Sequence, residues 1–185
     1  MNRTPDLQPF LQNEKIIIQP LKAEDFYALH RAANDEQVWA QHPNKNRWRL
    51  KDFTNYFEGA MNSKGAVLVK DAQTGEVIGS SRYTHYNPEN NSIQIGYTFF
   101  KHSHWSKGFN HALKVLMLNH IFQYVDAVEF YIGAVNKRSQ SSIERIGATK
   151  IAEEETAYYG EEPKLDYIYR ITKSAWQSNR PEAPV

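Results

Sequence analysis

The chain has 185 residues and a mass of 21.5 kDa, which is the size of a single domain. Its 41% hydrophobic and 13% aromatic residues suffice for a packed core and exclude a wholly disordered protein. The 22 basic and 21 acidic side chains leave a net charge of +1, so no basic excess indicates a nucleic-acid or membrane-surface partner. Because cysteine is absent, disulfides, zinc–thiolate sites and a cysteine nucleophile are excluded.

No targeting pattern is visible in the sequence. No apolar run follows Met1 as in a signal peptide, and no stretch reaches the roughly 18 apolar residues that a membrane helix needs. We therefore expect a soluble, cytoplasmic protein with one domain over residues 14–173. Polar ends interrupted by proline predict flexible segments at residues 1–13 and 174–185.

The first half of the chain predicts one strand, two helices and three further strands. A β-branched run predicts the first strand at residues 15–19, and apolar residues at helical spacing predict helices at 20–34 and 50–62. The runs at 66–70, 77–86 and 92–100 are separated by turn residues, so they predict an antiparallel meander.

The second half returns to helical spacing at residues 109–124. A buried strand is predicted at 128–135, followed by a short helix that Asn136 caps and Gly147 ends. Two last strands are predicted at 148–152 and 166–172. The resulting order predicts an α/β fold with a mixed, mostly antiparallel sheet of about seven strands and helices on both faces.

The most informative segment covers residues 95–111, which predict a strand, a short loop and the first turn of a helix. A helix start leaves about four backbone N–H groups without internal partners and carries partial positive charge, so it binds phosphate. Gly108 would let a pyrophosphate approach the backbone without a Cβ in the way. An ordinary helix start with one turn glycine is the alternative.

Over residues 14–172 the chain resembles the GNAT superfamily of acetyl-CoA-dependent N-acetyltransferases, and within it the Rim-type branch, which includes ribosomal-protein N-terminal acetyltransferases. The resemblance rests on the element order, on W-S-K-G-F-N at 105–110 and on N-K-R-S at 136–139. The family's phosphate loop is Q/R-x-x-G-x-G/A. Gly108 matches its central glycine, whereas Trp105 and Asn110 depart from its first and last positions. The resemblance implies acetyl-CoA as co-substrate and no metal.

The resemblance also implies which residues hold CoA. The backbone of Thr98, Phe99 and Phe100 would pair with the pantetheine arm as an extra strand. Asn136 would contact the same arm, or serve only as a helix cap. Lys107 or Arg138 could add positive charge. The pyrophosphate would lie against the backbone N–H groups of Ser106, Lys107, Gly108, Phe109, Asn110 and His111.

Two catalytic positions of the family are changed here. Gln94 stands where many relatives have a glutamate base, and Ile143 stands where many have a tyrosine acid. The Rim-type branch uses a serine three residues beyond the helix asparagine, and Ser139 matches it. The resemblance thus implies that Ser139 hydrogen-bonds the sulfur as it gains charge, although a serine in a first helical turn also acts as a cap.

Candidates to deprotonate the amine are His85, Tyr83 and Tyr97 on the central strands. His85 has a suitable ordinary pKa near 6.5, and a hydrogen-bonded structural histidine is the alternative. The acceptor pocket is expected between the first two helices and the central strands, with Trp39, Tyr83, Gln94 and Tyr97 against the substrate; Trp39 could equally be core. The neighbouring histidines lack carboxylates at matching spacing, so no metal site is predicted: His102, His104 and His111.

The sequence therefore predicts acetyl transfer to a primary amine, a peptide or protein N-terminus or a small molecule, by direct attack in a ternary complex. Without a carboxylate at Gln94, an α-amine with a pKa of about 7.7–8.0 is favoured over an aliphatic amine near 10. A homodimer is possible. The competing hypothesis is an inactive relative that binds CoA as a sensor or scaffold, and Gln94 and Ile143 support it.

Overall fold

A computed structural model describes residues 4–178 of the chain. In this part of the chain the helices are α1 (Phe26–Ala33), α2 (Glu36–Trp39), α3 (Leu50–Ser63), α4 (Phe109–Ile121), α5 (Lys137–Glu144) and α6 (Lys173–Ser178). The strands are β1 (Leu11–Gln12), β2 (Ile16–Pro20), β3 (Ala66–Asp71), β4 (Val77–Asn87), β5 (Ser92–Phe100), β6 (Ala127–Gly133), β7 (Thr149–Thr156) and β8 (Lys164–Thr172).

The strands form one eight-stranded sheet in the order β1-β2-β3-β4-β5-β6-β8-β7. Every neighbouring pair is antiparallel except β5 and β6, which are parallel. The predicted α/β fold with a mixed, mostly antiparallel sheet is confirmed. The short β1 and the one-turn α2 were not predicted, because two to four residues carry too little periodicity to show either element.

Each face of the sheet packs against helices, as the sequence predicted. On one face Leu113 and Met117 of α4 are fully buried, together with Ile143 of α5. On the other face Phe53 and Tyr56 of α3 pack with residues of α1 and α2. None of the helices in the described part is long and apolar enough to cross a bilayer.

The folded region extends beyond both predicted boundaries. Within residues 4–13, Pro5 and Pro9 are buried, and β1 pairs with β2. At the other end Trp176 of α6 is 4% exposed, and its Nε1–H donates to Oδ1 of Asn119 at 2.9 Å. The flexible segments predicted at 1–13 and 174–185 are therefore corrected for 4–13 and 174–178, because these residues pack on the sheet. Residues 1–3 and 179–185 lie outside the described part.

The parallel pair β5–β6 separates after a few residues. Residues 92–94 of β5 pair with 127–129 of β6, yet β5 continues to Phe100 and β6 continues to Gly133. Over this length β6 stays paired with β8 and β5 stays paired with β4. The facing backbone edges of β5 and β6 are thus open, and a wedge-shaped gap lies between them. Gln94 marks the narrow end of this wedge.

A β-bulge in β5 lies beside the gap. Ser80 pairs with Phe99 and Arg82 pairs with Gly96, so Tyr97 and Thr98 together oppose the single residue Ser81. Tyr97 has a φ of 54°, a conformation that is costly for an aromatic residue. Such strain persists only where the surrounding structure enforces it, and it is common at functional sites.

Candidate active site

A cleft of about 660 Å³ occupies the gap between the separated ends of β5 and β6. Residues 95–100 of β5 and 130–133 of β6 form its walls, and the N-terminal turns of α4 and α5 lie at its open end. We call it the β5–β6 cleft. An extended molecule lying in it would face an unpaired backbone edge on either side, which suits a chain that carries amide groups.

The N-terminus of α4 forms one rim of the cleft. Gly108 is its N-cap with a φ of 82°, and no side chain of the described residues caps this helix. Among the described residues, none accepts a hydrogen bond from the backbone N–H of Phe109, Asn110 or His111. A Cβ at Gly108 would meet no atom closer than the Lys15 ammonium at 3.7 Å, so space remains in front of these donors. This arrangement binds anions.

The predicted phosphate-loop residues line the cleft with one exception. Ser106, Gly108, Phe109, Asn110 and His111 are part of its lining. Lys107 is not, and its backbone carbonyl instead accepts a hydrogen bond from Lys15. The Lys107 side chain is exposed, and its backbone N–H stays a predicted donor to the pyrophosphate.

Trp105, which stands at the first position of the phosphate-loop pattern, has a structural role at the rim. Its Nε1–H donates to the backbone carbonyl of Phe100 at 2.9 Å, and this bond ties the loop to the end of β5. The Arg138 guanidinium carbon lies 3.7 Å from the centroid of the Trp105 ring. Trp105 therefore holds Arg138 at the cleft, so a charge is retained at the rim although the loop residue is apolar.

Asn136 and Ser139 meet at the start of α5. Oδ1 of Asn136 accepts a hydrogen bond from the Ser139 backbone N–H at 3.2 Å, which confirms the predicted N-cap. Both residues line the cleft. Within residues 4–178 no group hydrogen-bonds the Ser139 hydroxyl, so it is available to a ligand. The cap uses the backbone of Ser139 and leaves its side chain free.

Arg82 fixes the aromatic side of the bulge. Its side chain is 2% exposed, and its guanidinium carbon lies 4.1 Å from the Tyr97 ring centroid and 4.5 Å from that of Tyr56. One Nη–H donates to the Tyr56 carbonyl at 2.6 Å. Because the guanidinium is fixed by Tyr56 and packs against the Tyr97 ring, it stabilises the strained conformation of Tyr97 at the cleft wall.

The end of the cleft near α2 carries Arg47, Tyr158 and His42. Arg47 forms a buried ion pair with Glu161 at 2.7 Å, with side chains 4% and 8% exposed. The Tyr158 hydroxyl donates to Asp166 at 2.5 Å, and burial together with that carboxylate raises the pKa of Tyr158. Burial, with added repulsion from Arg47 and Arg138, lowers the pKa of His42 to about 3. His42 is therefore neutral at physiological pH.

Residues 15–149 match the family model of the acetyltransferase (GNAT) domain. The chain belongs to the GNAT acetyltransferase family. The family's fold implies acetyl transfer that depends on acetyl-CoA. No curated protein matches the chain at a significant level.

Solved structures with the same fold cover most of the chain. A GCN5-related N-acetyltransferase from Brucella melitensis is 17% identical, with a TM-score of 0.79 over 93% of this chain and 82% of that one. Mycobacterium smegmatis RimJ in complex with CoA-disulfide is 15% identical, with a TM-score of 0.67 over 86% and 82%. Spermidine N-acetyltransferase from Vibrio cholerae, in complex with CoA and spermine, is also 15% identical, with a TM-score of 0.68 over 89% and 99%.

Two predicted substrate residues of this GNAT domain lie in the core. Tyr83 is fully buried, and its hydroxyl donates to the Met117 carbonyl at 2.8 Å on the α4 face of the sheet. Trp39 is also fully buried, with its Nε1–H donating to the Ala33 carbonyl at 2.8 Å behind Arg47. Neither residue lines the cleft. Tyr83 takes the face away from α1 to α3 because a strand alternates its side chains between two faces, and Trp39 is part of the core, which was the alternative for it.

Two further predicted site residues, His85 and Gln94, lie outside the cleft lining. His85 is exposed with a φ of 50° at a second irregularity of β4 and does not line the cleft. Gln94 is 6% exposed at the narrow end of the wedge, where its Oε1 accepts from the Thr84 hydroxyl at 3.4 Å. It lies outside the cleft lining as well. Tyr97, Thr98, Phe99 and Phe100 do line the cleft.

The lining of the cleft is strongly basic. Within the described part of the chain it includes no aspartate or glutamate, whereas its cations are Arg47, Lys114, Lys137, Arg138 and Arg145. No cluster of three or more potential metal ligands occurs in residues 4–178. The sequence predicted neither Arg47 and Lys114 in the cleft nor Lys15 beside Gly108, because only the tertiary fold brings these residues there.

Proposed function

We propose that this GNAT domain is an N-acetyltransferase that transfers the acetyl group of acetyl-CoA to a primary amine by direct attack within a ternary complex. The observation that carries the proposal is the separation of β5 from β6 beside the uncapped start of α4. An open strand edge offers partners to the amides of a pantetheine arm, and free helix N–H groups offer partners to a pyrophosphate.

The residues present fit this co-substrate. Gly108 leaves room in front of the free N–H groups, Lys15 places positive charge beside Gly108, and Arg138 adds positive charge over the Trp105 ring. The cleft volume of about 660 Å³ is in the range of sites for small molecules and cofactors. When bound, acetyl-CoA supplies an activated thioester. Everything else required for the reaction must come from the chain.

Ser139 is the neutral donor that we assign to the departing sulfur. Its hydroxyl lacks a partner among the described residues and lines the cleft, so it can hydrogen-bond the sulfur as charge develops there. The Asn136 cap holds the first turn of α5 and thereby the direction of the Ser139 side chain. This positions the donor before the reaction and avoids a reorganisation cost.

The acceptor amine must lose its proton without the help of a carboxylate from the described lining of the cleft. Gln94 cannot take a proton, His85 lies outside the cleft, and His42 with a pKa of about 3 is too weak a base. An amine that is already partly neutral therefore reacts best. An α-amino group with a pKa of about 7.7–8.0 meets this condition, whereas an aliphatic amine near 10 does not.

The positive charge of the cleft lining also favours an α-amine over a polyamine as the acceptor. A polyamine would enter a cleft with five cationic side chains and no acidic side chain among its described lining residues. We therefore assign the acceptor to the α-amines, either a peptide or protein N-terminus or a small molecule, as in the Rim-type branch. Spermine, which is bound with CoA in the structure of the Vibrio cholerae enzyme, is expected to be a poor substrate here.

The alternative function is a CoA-binding sensor or scaffold without turnover. Ile143, 4% exposed, lines the cleft in place of a proton donor and favours this alternative. Thiol release from acetyl-CoA in the presence of peptides, amino acids, polyamines and aminoglycosides separates the two functions. Turnover that is fastest with an α-amine supports the proposed function. Tight CoA binding with no turnover on any amine would establish the sensor.

A further inference from the structure

Lys114 is a buried cation in the wall of the β5–β6 cleft. It lies on α4 and is 4% exposed, although lysine is almost never buried without a charged partner. Its Nζ donates to the Thr98 hydroxyl at 3.3 Å and lies 5.1 Å from the centroid of the Phe130 ring. Thr98 belongs to β5 and Phe130 to β6, so the ammonium bridges the gap between the two strands.

No acidic side chain in the described part of the chain compensates the charge of Lys114. Within residues 4–178, no carboxylate lies at ion-pair distance from the Lys114 Nζ, and its one hydrogen bond is long and goes to a neutral hydroxyl. Burial lowers the pKa of the Lys114 ammonium to about 7. The other titratable side chains in the described lining of this cleft are cationic or neutral: His42, Arg47, Tyr97, His104, His111, Tyr131, Lys137, Arg138, Arg145 and Tyr158.

The position of Lys114 along the wedge indicates what it faces. The free N–H groups for a pyrophosphate lie at the wide end, beside Gly108. Lys114 lies six residues further along α4, about 9 Å down its axis toward the narrow end. Its Nζ contacts Phe130, the first residue of β6 beyond its pairing with β5. An arm that enters from the wide end therefore brings its reactive tip toward this ammonium.

We infer that Lys114 is a catalytic residue, which stabilises the sulfur of the departing CoA as a thiolate and then protonates it. This inference rests on the proposed function, since it assigns a role within the same reaction. The buried ammonium has spare donors and no counter-ion among the described residues, so a thiolate in the cleft would supply the missing negative partner.

The step balances in protons and electrons. The acceptor nitrogen forms a bond to the acetyl carbon, and the electron pair of the C–S bond passes to the sulfur. Lys114 then gives one Nζ proton to the sulfur and becomes a neutral amine, while the acceptor nitrogen loses its proton to water. Water returns a proton to Lys114 after the thiol leaves.

Ser139 and Lys114 have different tasks in this step. A serine hydroxyl is much less acidic than a thiol, so Ser139 can donate a hydrogen bond to the sulfur but cannot leave its proton there. The ammonium carries a full charge that stabilises the thiolate, and because its pKa of about 7 lies close to that of a thiol, about 8.5, its proton can pass to the sulfur as CoA leaves. The two groups therefore complement each other.

The test measures the thiol pKa of bound CoA and needs no acceptor amine. Thiolate absorbs in the ultraviolet, so absorbance against pH gives the pKa of CoA bound to the wild type, to Lys114→Met and to Lys114→Arg. An opposite charge within about 4–6 Å lowers a pKa by about 1–3 pH units. We expect that lowering, relative to free CoA, in the wild type and in Lys114→Arg, and its loss in Lys114→Met.

The matched control is Lys51→Met, because Lys51 is an exposed lysine on α3 outside the cleft. It should keep the wild-type thiol pKa. A lowered pKa that persists in Lys114→Met would overturn the role of Lys114 while leaving the proposed function intact. If the wild type failed to bind CoA, both the role of Lys114 and the proposed function would be overturned. A second measurement needs no variant. The wild type should bind CoA more tightly than desulfo-CoA near pH 7, where the ammonium and the thiolate can coexist in the complex. Equal affinity for the two ligands at every pH would contradict the inference.

Discussion

The Lys15 ammonium donates a hydrogen bond to the backbone carbonyl of Lys107 at 2.8 Å, across 92 residues of sequence. Lys15 directly precedes β2, so this hydrogen bond links the loop before α4 to the start of β2. The same ammonium lies 5.0 Å from the centroid of the Phe109 ring and 3.7 Å from the Cβ position of Gly108. Lys15 thus supplies both an anchor for the loop and a positive charge beside the free N–H groups.

Lys15→Met should weaken binding of acetyl-CoA. Exposed charges contribute about 0.5–1 kcal/mol, so we expect the dissociation constant to rise about two- to fivefold, as measured by isothermal titration calorimetry. The difference from wild type should shrink at high salt, since ions screen an exposed charge. Lys51→Met is the control. An unchanged affinity at low salt in Lys15→Met would remove Lys15 from the phosphate site.

Ser139→Ala should slow turnover and leave CoA binding nearly unchanged. The helix cap involves the Ser139 backbone, which alanine retains, so only the hydroxyl donor is lost. Loss of such a donor lowers kcat by about 10²-fold. Steady-state kinetics and CoA titration measure the two quantities. Equal losses of rate and affinity would reassign Ser139 to binding.

Glu161→Ala should destabilise the fold by removing the partner of a buried cation. The Arg47–Glu161 pair is almost fully buried, and a buried charge left unpaired costs about 3–5 kcal/mol. Urea unfolding measures this loss of free energy. Glu153→Ala is the control, because its ion pair with Lys150 is exposed and should contribute at most about 1 kcal/mol. If both variants lost only a similar, small part of the free energy of unfolding, the pairing with Glu161 would not be needed to keep Arg47 buried.

His42 should make stability depend on pH in the acidic range. Its folded-state pKa of about 3 lies below the ordinary 6.5, so the unfolded chain binds the proton that the folded chain excludes. The free energy of unfolding is therefore highest above pH 6.5 and falls as pH decreases toward 3, by at most about 1.4 kcal/mol per pH unit. His42→Gln should lack this part of the decrease in urea unfolding at several pH values. Parallel pH profiles for the two proteins would contradict a neutral His42.

The order of the elements could be predicted from the sequence because local patterns encode it. Predicted helix 50–62 and observed α3 differ by one residue, and the predicted strand at 92–100 coincides with β5. The start of α4 after Gly108 was also predictable, since a glycine before an apolar helical stripe marks a helix boundary. Thus the element that carries the anion site was visible without coordinates.

The chemistry inside the cleft was much less predictable. A hydrophobic pattern assigns Tyr83 and Trp39 to a buried face, but it cannot tell a pocket from a core. In β4 the charged Arg82 takes the face toward α3, and Tyr83 points to the other. Lys114 sits in a stripe of buried α4 residues, where only the separation of β5 and β6 explains a cation.

Valine substitutions at two glycines test most directly whether the β5–β6 cleft binds acetyl-CoA. Gly108 and Gly75 share a left-handed backbone, with φ of 82° and 72°, and a Cβ at Gly75 would meet no atom within 4 Å. Valine strains both positions alike, but only at Gly108 does it fill the space before the α4 donors. A ligand that binds the native state raises the melting temperature. We predict that acetyl-CoA raises it in wild type and Gly75→Val but not in Gly108→Val; an equal rise in a folded Gly108→Val protein would contradict the assignment of this cleft to acetyl-CoA.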